Sequence, residues 1–255
     1  IENLAYIFHR VAAEMKAADP SIRIGTSIPI EPKFYDSIKY FVHEIVDRGT
    51  YDLNFITLYN YVDIDKNTTS DELYSMVYNV KSSKSDSITK RVSDIQNIIK
   101  QESPYYDIQI LLGEYNTAEF SNENPHLDAN IESIFNALVM VYAHDAEIST
   151  IANCSDINNN AHVLQLFNNY LVGTRVRSYS QDEGKIVSYA VVDKSSKSHS
   201  YMVINRSNNV QLIDTQFRQG PSHSRTIQEH QLSKAGYTIK STSWNRILNN
   251  TIAVP

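Results

Sequence analysis

The sequence predicts an α/β protein in which helices alternate with strands up to about residue 172, followed by a run of short antiparallel strands. Three observations carry this prediction. Helix-spaced apolar residues are followed by a strand-length apolar run, and the pair recurs four times. Repeated α–β units of this kind imply a parallel sheet with helices packed on it. From Gly173 onward the helical spacing gives way to short alternating runs bounded by turn residues.

The elements follow in order. Leu4, Ile7, Phe8, Val11 and Met15 fall on one helical face, and Asp19-Pro20 ends that helix. Ile22–Gly25 is a short strand with Thr26-Ser27 at its end. Phe34, Ile38, Phe41, Val42 and Ile45 mark a second helix, stopped by Arg48-Gly49, and Leu53–Tyr59 is the next strand. Residues 71–80 are helical, and Ile88, Val92, Ile95 and Ile99 make a further stripe ending before Pro104. Asp107–Leu112 is a buried strand, Gly113 permits close backbone approach, and Glu114 follows. Ile131, Ile134, Phe135, Leu138, Val139 and Tyr142 mark another helix, and Ile148–Asn153 another strand. All these stripes are expected to face the core.

The second segment begins with the alternating run Thr174–Tyr179. Ile186–Asp193 and Ser200–Asn205 form a hairpin across Lys194–Lys197. Val210–Thr215, Thr238–Ser243 and Thr251–Val254 complete an antiparallel set that reads as a β-sandwich. The expected domains are therefore residues 1–172 and 173–255.

Polar and aromatic residues collect at the strand ends: Thr26-Ser27, Tyr59-Asn60-Tyr61, Glu114-Tyr115-Asn116 and Asn153. Ligands bind at the carboxyl ends of parallel strands, so Glu114 is the candidate catalytic carboxylate. Read locally, the same Glu is a solvated loop carboxylate or caps a turn. Tyr59, Tyr61, Asn116 and Asn153 are candidate substrate contacts. Tyr61 also reads as a packed strand-end aromatic, and Asn116 as a support for the loop turn. The loop from Asn116 to Leu127, with Glu119 and Glu123, reads as an ordinary polar loop.

Composition excludes several classes. A net charge of −6 with no basic stripe gives nucleic-acid binding no support. No apolar run is long enough to span a membrane. A single cysteine, Cys154, removes intrachain disulfides and cysteine-rich zinc sites, and packs as a small apolar residue. His126, His144 and His162 lack metal-ligand spacing, so no metal is expected, and no motif calls for a cofactor. His199, His223 and His230 are expected at the surface. No Gly-x-Ser-x-Gly elbow or Gly-x-Gly-x-x-Gly loop is present. The 17 tyrosines suit carbohydrate contacts, though codon bias in an AT-rich genome produces the same excess.

Several segments, in order, resemble the C-terminal half of a retaining (β/α)8 glycoside hydrolase with a C-terminal β-sandwich. The likeness is to α-L-arabinofuranosidases and related β-xylosidase and heparanase-like enzymes. Ala13–Gly25 looks like the family's helix 4 into strand 5, and Tyr51–Tyr61 like strand 6. Leu112-Gly-Glu-Tyr-Asn116 looks like strand 7 with its nucleophile glutamate. Ala161–Phe167 with Gly173–Val176 looks like the lead into the sandwich, and Tyr201–Ser207 like one of its strands.

The resemblance implies double displacement, with Glu114 as nucleophile and Tyr61 as the Tyr that hydrogen-bonds it. The two carboxyl groups of such enzymes stand about 5–5.5 Å apart. It implies an oligo- or polysaccharide substrate and a secreted or cell-surface protein, with an intracellular site left open. Tyr59 stands where the family usually has His, and Ile148–Asn153 has no Trp for a sugar platform. The acid/base glutamate of the family belongs on strand 4, upstream of residue 1. The missing half-barrel is therefore expected from the same precursor or another chain, and the 255 residues alone are expected to be inactive. The alternative is a non-catalytic carbohydrate-binding or surface protein on a decayed barrel.

Overall fold

The structure is a computed structural model. It describes residues 2–48, 53–62, 67–77, 87–104, 107–116, 129–148, 150–153, 157–216, 226–233, 236–243 and 252–255. The chain forms two compact units: residues 1–124 with 139–155, and residues 125–138 with 156–255.

The first unit is built on a four-stranded parallel sheet of order β1-β2-β3-β4: β1 (Ile24–Pro29), β2 (Leu53–Tyr61), β3 (Gln109–Asn116) and β4 (Thr150–Asn153). Its helices are α1 (Glu2–Ala18), α2 (Tyr35–Asp47), α3 (Ser70–Val77) and α4 (Ile88–Glu102). Alternation along β2 sends Ile56, Leu58 and Asn60 to one face, where all three are buried. Arg91 of α4 donates to Asn60 Oδ1 at 3.4 Å, so α4 lies on that face. There α2 packs beside α4, and Ile38, Phe41, Val42 and Ile45 of α2 and Val92, Ile95 and Ile99 of α4 are buried. Each fully buried aliphatic side chain contributes about 1.5–3 kcal/mol. The opposite face carries Phe55, Thr57, Tyr59 and Tyr61, all half-buried.

Local chemistry sets the helix starts. Thr69 and Glu72 form a reciprocal capping box: the Thr69 amide donates to Glu72 Oε2 at 2.8 Å, and the Glu72 amide to Thr69 Oγ1 at 3.2 Å. Ser87 caps α4 by accepting from the Lys90 amide at 3.3 Å.

Two expectations are corrected in this unit. The first strand runs over Ile24–Pro29 rather than Ile22–Gly25, so Thr26 and Ser27 lie in mid-strand. Proline, which has no amide hydrogen, terminates it, and the ladder continues one residue further through the Ile30 amide to the Tyr59 carbonyl. The stripe of α1 also faces differently. The helix buries Ala5 and Ala12 completely and sets Phe8 edge-on to Phe41, 5.7 Å between centroids. Leu4, Ile7, Val11 and Met15 remain 53%, 56%, 50% and 42% exposed. Only the small-residue side of α1 fits against α2 among the described residues.

The helix α5 (Ala129–Asp145) contributes to both units. The second unit adds α6 (Ile157–Tyr170) and three small antiparallel sheets. One joins β5 (Thr174–Val176), β6 (Ile186–Asp193) and β7 (Ser198–Asn205). The second pairs β8 (Gln211–Ile213) with β11 (Ile252–Val254), and the third pairs β9 (Thr226–Ser233) with β10 (Gly236–Ser243). The β6–β7 hairpin turns where the sequence predicts. There Asp193 accepts from the Ser195 amide and the Ser195 and Ser196 hydroxyls, which holds its carboxyl down at about 2.

Helix α6 and strand β9 were not legible in the sequence. Aromatic contacts join α6 to both β9 and β10. His162 stacks on Tyr237 at 4.6 Å, and Tyr170 packs on His230 at 4.2 Å. His230 Nδ1 shares a 2.6 Å hydrogen bond with the Tyr237 hydroxyl. His230 is thus half-buried, not the surface residue the sequence suggests.

Burial lowers the His230 pKa, so the unfolded chain takes up its proton first. This contribution to stability is complete above the unfolded value of about 6.5 and is lost as pH falls below it. Denaturant titration should show wild type losing stability relative to His230→Gln as pH falls below about 6.5. Parallel pH profiles would contradict the assignment.

Candidate functional site

The carboxyl ends of β1, β2 and β3 bring the predicted residues together. Pro29 pairs with Tyr59, and Tyr59 with Glu114, so these three form one row across the sheet. Tyr61 and Asn116 form another row two residues further on. The Tyr61 hydroxyl donates to Glu114 Oε2 at 2.7 Å, and the Glu114 side chain is exposed.

An extra residue in β3 aims Glu114. Leu58 pairs with Leu112 but Tyr59 pairs with Glu114, so β3 spends one more residue than β2 over that step. The same excess appears against β4, where Leu112 pairs with Ile151 and Tyr115 with Asn153. A one-residue bulge reverses which face the following side chains take. Before it, Ile110 and Leu112 are buried on the helix face; after it, Tyr115 is buried there. Glu114 accordingly joins Tyr59 and Tyr61 on the open face. Without the bulge, a carboxylate would enter the apolar layer, at a cost of several kcal/mol.

Gly113 is the residue that permits this. A Cβ at that position would overlap the Thr57 methyl group, which stands on the same face. Thr57 is β-branched and stiff, so it has little room to move aside.

The strand expected to end at Leu112 therefore continues through Gly113, Glu114, Tyr115 and Asn116. Asn153 lies at the end of a strand as predicted, whereas Asn116, expected in a loop, closes β3; the side chains of both are outside the described residues. By register Asn153 belongs to the row of Tyr115 and Asn60, not to that of Glu114. Glu119, Glu123, His126 and Cys154 fall outside the described residues. Among the described residues, no cluster of three or more His, Cys, Asp or Glu could hold a metal ion, and no helix is long and apolar enough to cross a membrane.

Sequence reasoning missed Glu31. Placing the first strand at Ile22–Gly25 left Glu31 in a loop, whereas the true strand ends at Pro29 and brings Glu31 to the sheet's carboxyl edge. The signal available was the alternation Ile24, Thr26, Ile28, Ile30.

No family model and no curated protein sequence matches the chain. Solved structures do. A family 51 α-L-arabinofuranosidase from Bifidobacterium longum superposes with a TM-score of 0.68 at 11% identity over 100% of this chain. An α-L-arabinofuranosidase from Thermotoga maritima gives 0.65 at 13% over 98%. A family 44 endoglucanase from Clostridium thermocellum gives 0.66 at 13% over 99%. The chain spans 59% of the length of each of these three proteins. It thus shares the fold of part of these glycoside hydrolases: a parallel α/β segment with antiparallel sheets.

Gly113→Ala is the sharpest test of the site's construction. Overpacking against Thr57 should cost about 1–3 kcal/mol by chemical denaturation. The double variant Gly113→Ala with Thr57→Ser, which removes the methyl group, should recover much of that loss. Failure of the second change to restore stability would show that the contact is not the constraint.

Proposed function

We propose that this chain is part of a retaining glycoside hydrolase of the α-L-arabinofuranosidase type. On this reading its parallel segment is half of a (β/α)8 barrel, and its antiparallel sheets belong to a β-sandwich. The observation that carries it is the Tyr61–Glu114 pair: a strand-end carboxylate turned out of the core by a bulge and held at 2.7 Å by a phenol.

Glu114 attacks the anomeric carbon, and the bond to the leaving-group oxygen breaks as a second carboxyl protonates that oxygen. The resulting glycosyl ester is cleaved by water, whose proton goes to the same second group. Tyr61 orients the nucleophile, and Tyr59 and Asn116 contact substrate; Asn153, in the row of Tyr115 and Asn60, is not assigned that role. The substrate is an oligo- or polysaccharide, which acts in favour of a secreted or cell-surface location because such polymers do not cross membranes. No cofactor enters this scheme.

The acid/base carboxyl comes from the other half-barrel, carried by the same precursor or another chain. Two features support that partner. Among the described residues β1 pairs only with β2, so its outer edge offers unpaired backbone groups. In addition, α1 presents Leu4, Ile7, Val11 and Met15 to water, the spacing by which one helix packs on another.

A fluorinated glycoside that traps the glycosyl-enzyme tests the chemistry. Incubation of the complete polypeptide with 2-deoxy-2-fluoro arabinosyl, xylosyl and glucosyl fluorides should add one sugar mass at Glu114, and Glu114→Gln should take none. An unchanged intact mass across the panel would leave the reading without its central step and favour a carbohydrate-binding protein on the same fold. The partner has its own test. Ile7→Lys with Val11→Glu should lower the thermal midpoint of the complete polypeptide by several degrees, at roughly 2–4 °C per kcal/mol. A midpoint equal to wild type would mean that the stripe stays in water.

A further inference from the structure

We propose that Glu31 is a second carboxylate of this site, one that accepts hydrogen bonds from sugar hydroxyls beside Glu114. The identity of the ligand rests on the glycosidase reading; the placement of the residue does not.

Backbone geometry brings Glu31 to the face of Glu114. Pro29, Tyr59 and Glu114 form one row, and the Ile30 amide extends the ladder to the Tyr59 carbonyl at 3.3 Å. Ile30 is fully buried, on the face of Asn60 and Tyr115. Glu31 is itself extended, with φ −70° and ψ 142°, so the alternation returns it to the open face beside Tyr61.

Its side chain has no local employment. Glu31 precedes the short 3-10 turn Pro32–Phe34, and its carbonyl accepts from the Phe34 amide at 3.0 Å, but its carboxylate caps nothing. The neighbouring cation, Lys33, lies over the Phe34 ring. One carboxylate oxygen, Oε2, is buried without a hydrogen-bond partner among the described residues. A desolvated carboxylate oxygen with no donor is costly, and a bound polyol supplies donors.

Spacing decides the role. Neighbouring strands stand about 4.8 Å apart, so β1 and β3 are separated by roughly 10 Å. Direct partnership with Glu114 in a retaining reaction needs carboxyl groups about 5–5.5 Å apart. Glu31 is therefore a substrate-binding group, and a sugar ring over Tyr59 and Tyr61 lies between the two acids.

Calorimetric titration of the complete polypeptide with L-arabinose, D-xylose and their oligosaccharides tests this. Glu31→Ala should weaken binding about 10- to 100-fold, and Glu31→Gln less, because its amide oxygen still accepts. Neither should lower the thermal midpoint, since among the described residues Oε2 makes no hydrogen bond to lose. Wild-type affinity in Glu31→Ala, or a lowered midpoint, overturns the proposal, as does a wild type that binds none of these sugars. The glycosidase reading separates through Glu114→Gln, which should bind sugar and lose turnover. A wild type that binds through Glu31 yet cleaves nothing removes that reading and leaves the Glu31 site standing.

Discussion

The arrangement depends on one contact, the close approach of the Gly113 backbone to the Thr57 side chain. It lets β3 carry an extra residue between two neighbours that do not bulge at that level. The extra residue lets one strand serve two incompatible demands. Its first half must feed Ile110 and Leu112 into the helix layer, and its second half must turn a charge away from that layer while keeping Tyr115 in it. Simple alternation cannot meet both with this sequence. Bulges are rare in parallel sheets and gather next to functional sites, where they re-aim a side chain.

The parts of the fold that were legible in the sequence are those where burial is two-sided or the helical stripe is complete. In α4 all four predicted stripe positions, Ile88, Val92, Ile95 and Ile99, are buried, and in α2 Ile38, Phe41, Val42 and Ile45 are, while the fifth predicted position, Phe34, precedes the helix and is half-buried. The β6–β7 hairpin was legible because alternation and turn chemistry agree there. What stayed hidden has physical reasons. Helix α6, with five Asn among its 14 residues, carries a weak apolar signal, and histidine and tyrosine rings join it to the β9–β10 hairpin. Strand β9 reads Thr-Ile-Gln-Glu-His-Gln-Leu-Ser, which is nearly all polar. The apolar spacing of α1 correctly gave a helix but the wrong buried side, because periodicity identifies a face without naming what covers it.

The candidate site was legible in kind and not in detail. Glu114, Tyr59 and Tyr61 were picked out as strand-end residues, and register brings them onto one face. The bulge was invisible, since Gly113 reads equally as a strand terminator. Glu31 was lost through an error of a few residues in one strand boundary. Parallel strands convert such an error into a change of face, so site residues are more sensitive to boundaries than core residues are.

The exposed side of α1 bears on how the chain lives before it reaches its final form. Four large aliphatic or thioether side chains along one helix make an exposed apolar strip, and among the described residues β1 has a second edge without a strand partner. Until something covers them, these two surfaces invite contact with any other unfinished chain. The order of synthesis and the speed of assembly then matter as much as final stability. On the proposed half-barrel reading, a polypeptide that presents its covering half first would shield the strip as it emerges from the ribosome. The same residues supplied as a separate piece would spend their early life dependent on dilution or on a chaperone.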